Sequence, residues 1–343
     1  MQHINLWMVK KMNKKERVEN FLNCKDVDRV PTAFWHHFVS FHDHYNGNDP
    51  EIYKKVVEGQ KKYIKELDPD LIKIMSDGFF GHPSVCERKI ETIEDLKRIK
   101  SVGPDHPWIQ KQVDFVKEIC DFAGEDTYKY YNLFSPLQYI RLRFEEYDED
   151  FEKFVRLFKE SEEDMIKAAK EIAIDIKILV KKLFEETSVD GIYYSVQSVQ
   201  DKSFDEEKHK KIVEPLDLEV LNEINKINDN VMLHICGYGH YTNNLAWYKD
   251  YPAKVFNWAT HTENIGLKEG KEIFEGKAVL GGFDNNNGTV LYSASEEELK
   301  KEIFKILDEV GTRGVALGAD CTISQDIDIN RLKLVEKIAG EYK

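Results

Sequence analysis

Eight short apolar runs, each followed by a segment of helical periodicity, limit this chain more than any other feature of its sequence. The runs are Asp28–Trp35, Asp70–Met75, Thr127–Phe134, Val189–Val196, Asn230–Cys236, Ala253–Trp258, Lys277–Asp284 and Arg313–Ala319. They are rich in β-branched and aromatic residues and end in Gly, Asp, Ser or Asn, as strands do. Strands that alternate with helices imply parallel pairing, and eight such units imply a (β/α)₈ barrel. A doubly wound open sheet is the competitor, but its G-x-G-x-x-G fingerprint is absent from the first half of the chain. Expected helices include one capped by Asn13, one opened by Asp49-Pro50, one at 107–121, one opened by Ser135-Pro136, and one at 295–310 capped by Ser293 or Ser295. The stretch 148–187 reads as one long charged helical block with a solvated face. Residues 1–12 read as a disordered leader and 13–343 as a single barrel domain, with helices before the first strand.

Composition narrows the function classes. The 343 residues carry a net charge of −14, which disfavours nucleic acid, anionic membranes and polyanionic substrates. No apolar run has the length of a membrane span, and Met1–Met12 has no continuous signal-peptide core. The five cysteines, at 24, 86, 120, 236 and 321, are odd in number and widely spaced. They fit a reducing cytoplasm rather than a disulfide framework.

One run carries chemistry. In Val231-Met232-Leu233-His234-Ile235-Cys236-Gly237, strand alternation puts His234 and Cys236 on one face and Val231, Leu233 and Ile235 on the other. Two soft donors on one strand face form half of a zinc site, and Cys321 ends the last strand as a third donor. One imidazole and two thiols with a position left open suit a catalytic rather than a structural zinc. Parity raises a difficulty, because Cys321 shares a face with Val315 and Leu317. It reaches the metal only if those residues point inward or the chain has already turned. In a barrel, catalytic groups sit at the C-terminal strand ends. There the sequence also places Asp77, His261 and Asp284, with Trp35, His36 and Gln197 as candidates to line a substrate pocket. His261 and Asp284 are candidates for support of the metal or a resting fourth ligand. Asp77 precedes a glycine, which is also ordinary turn chemistry. His36, His37, His42 and His44 lie within nine residues, yet their spacing fits no usual ligand set. They read as pocket lining or plain loop, with a second metal site as the lesser alternative.

The chain resembles the uroporphyrinogen decarboxylase superfamily over nearly all of 13–342. The resemblance is carried by Lys15-Glu16-Arg17-Val18, Asp28-Arg29-Val30-Pro31, Ser76-Asp77, Leu233-His234-Ile235-Cys236-Gly237 and the Gly281–Asp284 turn. One branch of that superfamily decarboxylates uroporphyrinogen without metal; the other comprises zinc methyltransferases that work with corrinoid proteins. The resemblance implies His234, Cys236 and Cys321 as zinc ligands of the second branch. It implies Asp77 as the pyrrole-binding Asp of the first. The decarboxylases carry an arginine-rich loop after the first strand; here Ala33-Phe34-Trp35-His36-His37-Phe38 has none. An octa-anionic substrate would be poorly compensated in so acidic a protein, so the methyltransferase branch is favoured. It implies Zn²⁺, a corrinoid on a partner protein, and a small thiol or methoxylated or methylated substrate. A homodimer is compatible with it. Two alternatives stay open: metal-free decarboxylation of uroporphyrinogen, and a non-catalytic zinc binder with His240 as a fourth donor.

Overall fold

The computed structural model describes residues 11–237 and 242–342. Eight parallel strands form one sheet in the order β1-β8-β7-β6-β5-β4-β3-β2. They are β1 (Thr32–Ala33), β2 (Leu71–Ile74), β3 (Tyr128–Phe134), β4 (Gly191–Val196), β5 (Val231–Ile235), β6 (Val255–Trp258), β7 (Ala278–Phe283) and β8 (Val315–Ala319). Helices surround them, and the architecture is a nearly closed (β/α)₈ TIM barrel. No helix among the described residues is long and apolar enough to cross a membrane.

The barrel is open only between β1 and β2, where no ladder joins the strands among the described residues. Backbone groups at such an edge need other partners. Helix Pro50–Leu67 supplies them. The Gln60 side chain accepts from Met75 N at 3.0 Å and donates to Met75 O at 3.2 Å, and Tyr63 Oη donates to Phe34 O at 2.8 Å. Pro31, which has no N–H, explains in part why β1 pairs over only two residues.

Alternation along each strand sorts the side chains into two cores. Ile72, Ile74, Tyr131, Leu133, Ile192, Tyr194, Val231, Leu233, Ile235, Val279, Val315 and Leu317 face the helices. Ala33, Trp35, Leu71, Met75, Tyr128, Tyr130, Tyr193, Met232, Val255, Ala278, Leu280 and Ala316 fill the lumen. Bulk is unevenly shared: aromatics stand on the β3–β4 side and alanines with Gly318 on the β7–β8 side, where Leu280 takes the space beside Gly318. Complementary sizes are how a small barrel reaches close packing.

One helical expectation changes. The block 148–187 is two helices, Phe151–Glu160 and Glu162–Glu186, broken at Ser161. Ser161 leaves helical geometry and its hydroxyl accepts from Asp164 N, so it starts the second helix instead of continuing the first. The caps at Asn13, Asp49 and Ser295 form as the sequence suggests, the last as a capping box with Glu298.

Candidate metal centre at the barrel mouth

His234 is the last inward residue of β5, and Cys236 follows it at the same parity, its amide held by Val196 O at 2.9 Å. Cys321 arrives differently. Val315, Leu317 and Ala319 face the helices, so β8 alone would carry Cys321 away from the lumen. The strand stops at Ala319 and the chain bends at Asp320 and Cys321. Asp320 anchors the bend to the end of β6: it accepts from Thr260 Oγ1 at 2.6 Å, His261 N at 2.9 Å and His261 Nδ1 at 2.9 Å. The turn resolves the parity difficulty.

One donor atom from each of His234, Cys236 and Cys321 lies within 4.8 Å of the other two. Cys321 Sγ is 3.6 Å from His234 Nε2. Two ligands on one tetrahedral zinc, at ordinary Zn–S and Zn–N lengths, stand about 3.5 Å apart. The imidazole tautomer is also settled. Asn257 donates through Nδ2 to Leu280 O at 2.9 Å and Ala319 O at 3.3 Å, which turns its Oδ1 toward His234 Nδ1 at 2.6 Å. Tyr193 Oη donates to the same oxygen at 2.8 Å, and its ring stacks on His234 at 5.3 Å. Nδ1 therefore carries the proton and Nε2 presents a lone pair to the thiols, the arrangement metal-binding histidines adopt. A hydrogen bond from the neighbouring Cys236 thiol, with the charge of Lys73, holds Cys321 well below the usual thiol range against the effect of burial. The donor set and its spacing fit zinc.

Below this group sits Lys73, buried in the lumen with its ammonium 4.0 Å from the Tyr193 ring centroid and 5.0 Å from that of Trp35. Burial lowers its pKa to about 8, while Cys321, Cys236 and Asp77 pull it upward. Lys73 and Asn257 escape a motif search. Their signal is a polar residue at inward parity inside an otherwise apolar strand: Leu71-Ile72-Lys73-Ile74 and Val255-Phe256-Asn257-Trp258.

The other candidates fall in different places. Asp77 is buried; it accepts from Phe38 N at 2.7 Å and meets His37 Nδ1 at 2.8 Å. His37, through its charge and its hydrogen bond, keeps Asp77 below the ordinary carboxylate range despite burial. His261 is half-exposed and bound to Asp320, which raises its pKa. Asp284 caps its own turn, accepting from Asn286 N at 2.8 Å. Trp35 packs in the lumen beside Tyr193 at 5.1 Å. His36 lies edge-on to Tyr63 at 5.0 Å, between barrel and helix. Gln197 accepts from Gln138 Nε2 at 3.0 Å. His240 lies outside the described residues. Arg141 and Arg143, which follow β3, are buried against Glu145 and Asp148.

The uroporphyrinogen decarboxylase family model matches residues 80–342, over three quarters of the chain. The chain belongs to the uroporphyrinogen decarboxylase family. Lys15–Pro31 and Asp77 lie before the matched residues, whereas His234, Cys236 and Cys321 lie within them. Among curated proteins none matches the sequence. Among solved structures, a methyltransferase from Methanosarcina mazei is similar with a TM-score of 0.65 at 13% identity, over 96% of this chain and 99% of that one. A B12-independent methionine synthase from Shewanella sp. W3-18-1 is similar with a TM-score of 0.55 at 15% identity, over 91% and 97%. At such identities the likeness shows a shared fold.

Proposed function

We propose that this protein transfers a methyl group between a corrinoid carried on a partner protein and a small thiol or a methoxylated or methylated compound. The observation that supports this is the convergence of His234, Cys236 and Cys321 at the C-terminal mouth, with His234 Nε2 facing Cys321 Sγ and Cys321 biased toward the thiolate. These three residues would hold zinc, which supplies a Lewis acid favouring the anionic form of a bound thiol or polarising a methoxyl oxygen.

The chain's own groups set the conditions for that chemistry. Asn257 and Tyr193 orient the His234 ring. Asp320, held by Thr260 and His261, positions the turn that delivers Cys321, so His261 is a positioning residue. Lys73 places positive charge under the two thiols, offsetting their negative charge. Gln197, at the end of β4, is the substrate-side candidate with a polar group at the mouth. When a thiol is the acceptor, its sulfur takes the methyl group, its proton leaves to solvent, and the electron pair of the broken bond stays with the corrinoid. The sequestered Arg141 and Arg143, and the lack of arginine in 33–38, weigh against a polycarboxylate substrate.

The test uses purified full-length protein, assayed for metal and then mixed anaerobically with methylcobalamin and a panel of thiols and methoxylated compounds. One zinc per chain and chelator-sensitive demethylation of the corrinoid are expected. Uroporphyrinogen turnover that survives exhaustive chelation, with no methyl transfer, would replace this reading with decarboxylation.

A further inference from the structure

The histidine-rich segment after β1 contributes nothing to the thiol site, and its members separate. His36 packs outward on Tyr63 and His42 is exposed. His37 and His44 turn toward Asp77, and one donor atom from each of the three lies within 4.8 Å of the others. The His37 and His44 rings are 4.1 Å apart.

His44 decides the matter. It is 1% exposed, and among the described residues neither ring nitrogen has a hydrogen-bond partner. The Val39 carbonyl approaches the ring without completing a bond. The other neighbours include Phe80, at 4.6 Å between centroids, and Phe41, at 5.3 Å. A buried polar group without a partner destabilises a fold, a cost that an apolar residue of the same shape would avoid. A bare imidazole beside a second imidazole and a carboxylate is what a metal ion requires of its ligands. His37 Nδ1 and Asp77 Oδ1 are 2.8 Å apart; two ligands at right angles on a first-row metal ion stand about 3 Å apart. An ion can take the place of the shared proton with little movement. Asp77 Oδ2 is already committed to Phe38 N, which fixes the carboxylate plane.

The frame is rigid. Phe80 N donates to His44 O at 3.0 Å and Gly47 N to Gly78 O at 2.8 Å. A Cβ on Gly47 would come within 2.6 Å of Gly78 O, and Gly78 has φ +93°. The loops after β1 and β2 are thus locked backbone to backbone, as a preformed site needs.

We infer that His37, His44 and Asp77 bind a divalent first-row transition-metal ion at a second site, distinct from the thiol site. Two imidazoles and one carboxylate disfavour Mg²⁺ and Ca²⁺, which take oxygen ligands. Three protein donors leave positions open for an oxygen donor such as water or a substrate carboxylate or phenolate. The inference rests on different residues from the proposed methyl transfer and stands or falls separately.

Cobalt(II) titration of metal-stripped full-length protein tests it. Two equivalents are expected, one with thiolate-to-cobalt charge-transfer absorption and one without. His37→Ala and His44→Leu should each weaken the sulfur-free equivalent on the order of 100-fold and keep the charge-transfer band. Cys321→Ala should abolish the band and keep the sulfur-free equivalent. His44 is buried, so circular dichroism must show that His44→Leu folds; the part-exposed His37 carries the same prediction otherwise. A wild-type protein with no sulfur-free equivalent, or one unchanged by folded variants at these positions, overturns the inference.

Discussion

At the N-terminal end of the barrel, Arg17 and Arg29 share Asp70, each at 2.7 Å, while Asp28 and Glu336 complete their bonding. At the C-terminal end, His234, Cys236, Cys321, His37, His44 and Asp77 gather in two groups rich in lone pairs, with one ammonium, Lys73, between them in charge. The lower network ties the first helix, the approaches to β1 and β2 and the last helix across the open seam. Every strong donor there has an acceptor. In the upper groups donors outnumber the protons available to them. A matched set of buried charges maintains a fold; a mismatched set is ready for a ligand. The Lys15–Val18 and Asp28–Pro31 motifs belong to the first kind and Leu233–Gly237 to the second.

The comparison breaks most sharply at Cys321. Cys321→Ala should remove zinc and lower methyl transfer roughly 10³-fold, the scale of losing a Lewis acid worth several kcal/mol, while thermal unfolding stays within about a degree or two. If both zinc and activity persist, the upper end is wrongly read. Asp70→Ala should do the reverse. Arg17 keeps Asp28 and Arg29 keeps Glu336, so loss of the shared carboxylate should cost about 1–3 kcal/mol in denaturant unfolding, yet the folded fraction should keep its full zinc.

Asn257→Leu sharpens the comparison within the upper end. Loss of the acceptor for His234 Nδ1 should weaken zinc about 10–100-fold in competition with a chelator, and unchanged affinity would mean that the tautomer is set elsewhere. Lys73→Met tests whether the lumenal charge is a cost to folding. The folded pKa is depressed to about 8 from 10.5, so between those values the unfolded chain binds more protons and wild-type stability rises with pH. Lys73→Met should remove that rise and match or exceed the wild type at pH 7 by on the order of 1–3 kcal/mol. The smallest effect belongs to His261→Gln. Asp320 raises the folded pKa of His261 above 6.5, so its contribution is complete below the unfolded pKa and is lost as pH rises through the folded one. With the ring half-exposed, the difference should stay under about 1 kcal/mol and vanish at pH 9.

Much of this could be read along the chain. All eight strands lie where apolar alternation places them, and the shared face of His234 and Cys236 follows from the two-residue period. Lys73 and Asn257 are visible as polar interruptions, but nothing local says that they meet the thiols or the imidazole. The break at Ser161 is hidden because an amphipathic period runs through both flanking helices; only the hydroxyl's bond to Asp164 N marks it. The histidines after β1 look unpromising because ligand spacing along a chain presumes one regular element. Here a 3-10 turn at Phe41–Tyr45 and a separate loop bring His44 and Asp77 together.

The sequence by itself determined the period of each segment, and hence the elements, the barrel class and the face on which each strand residue lies. Those are short-range consequences of backbone geometry, readable within a few residues. Tertiary structure alone decided which faces meet. Register sets His234 beside Asn257, closure of the lumen brings Lys73 under Cys236 and Cys321, and the bend anchored by Asp320 turns Cys321 against the parity of its own strand. Distances across a barrel depend on how all eight strands stagger together, and no window of sequence contains that information.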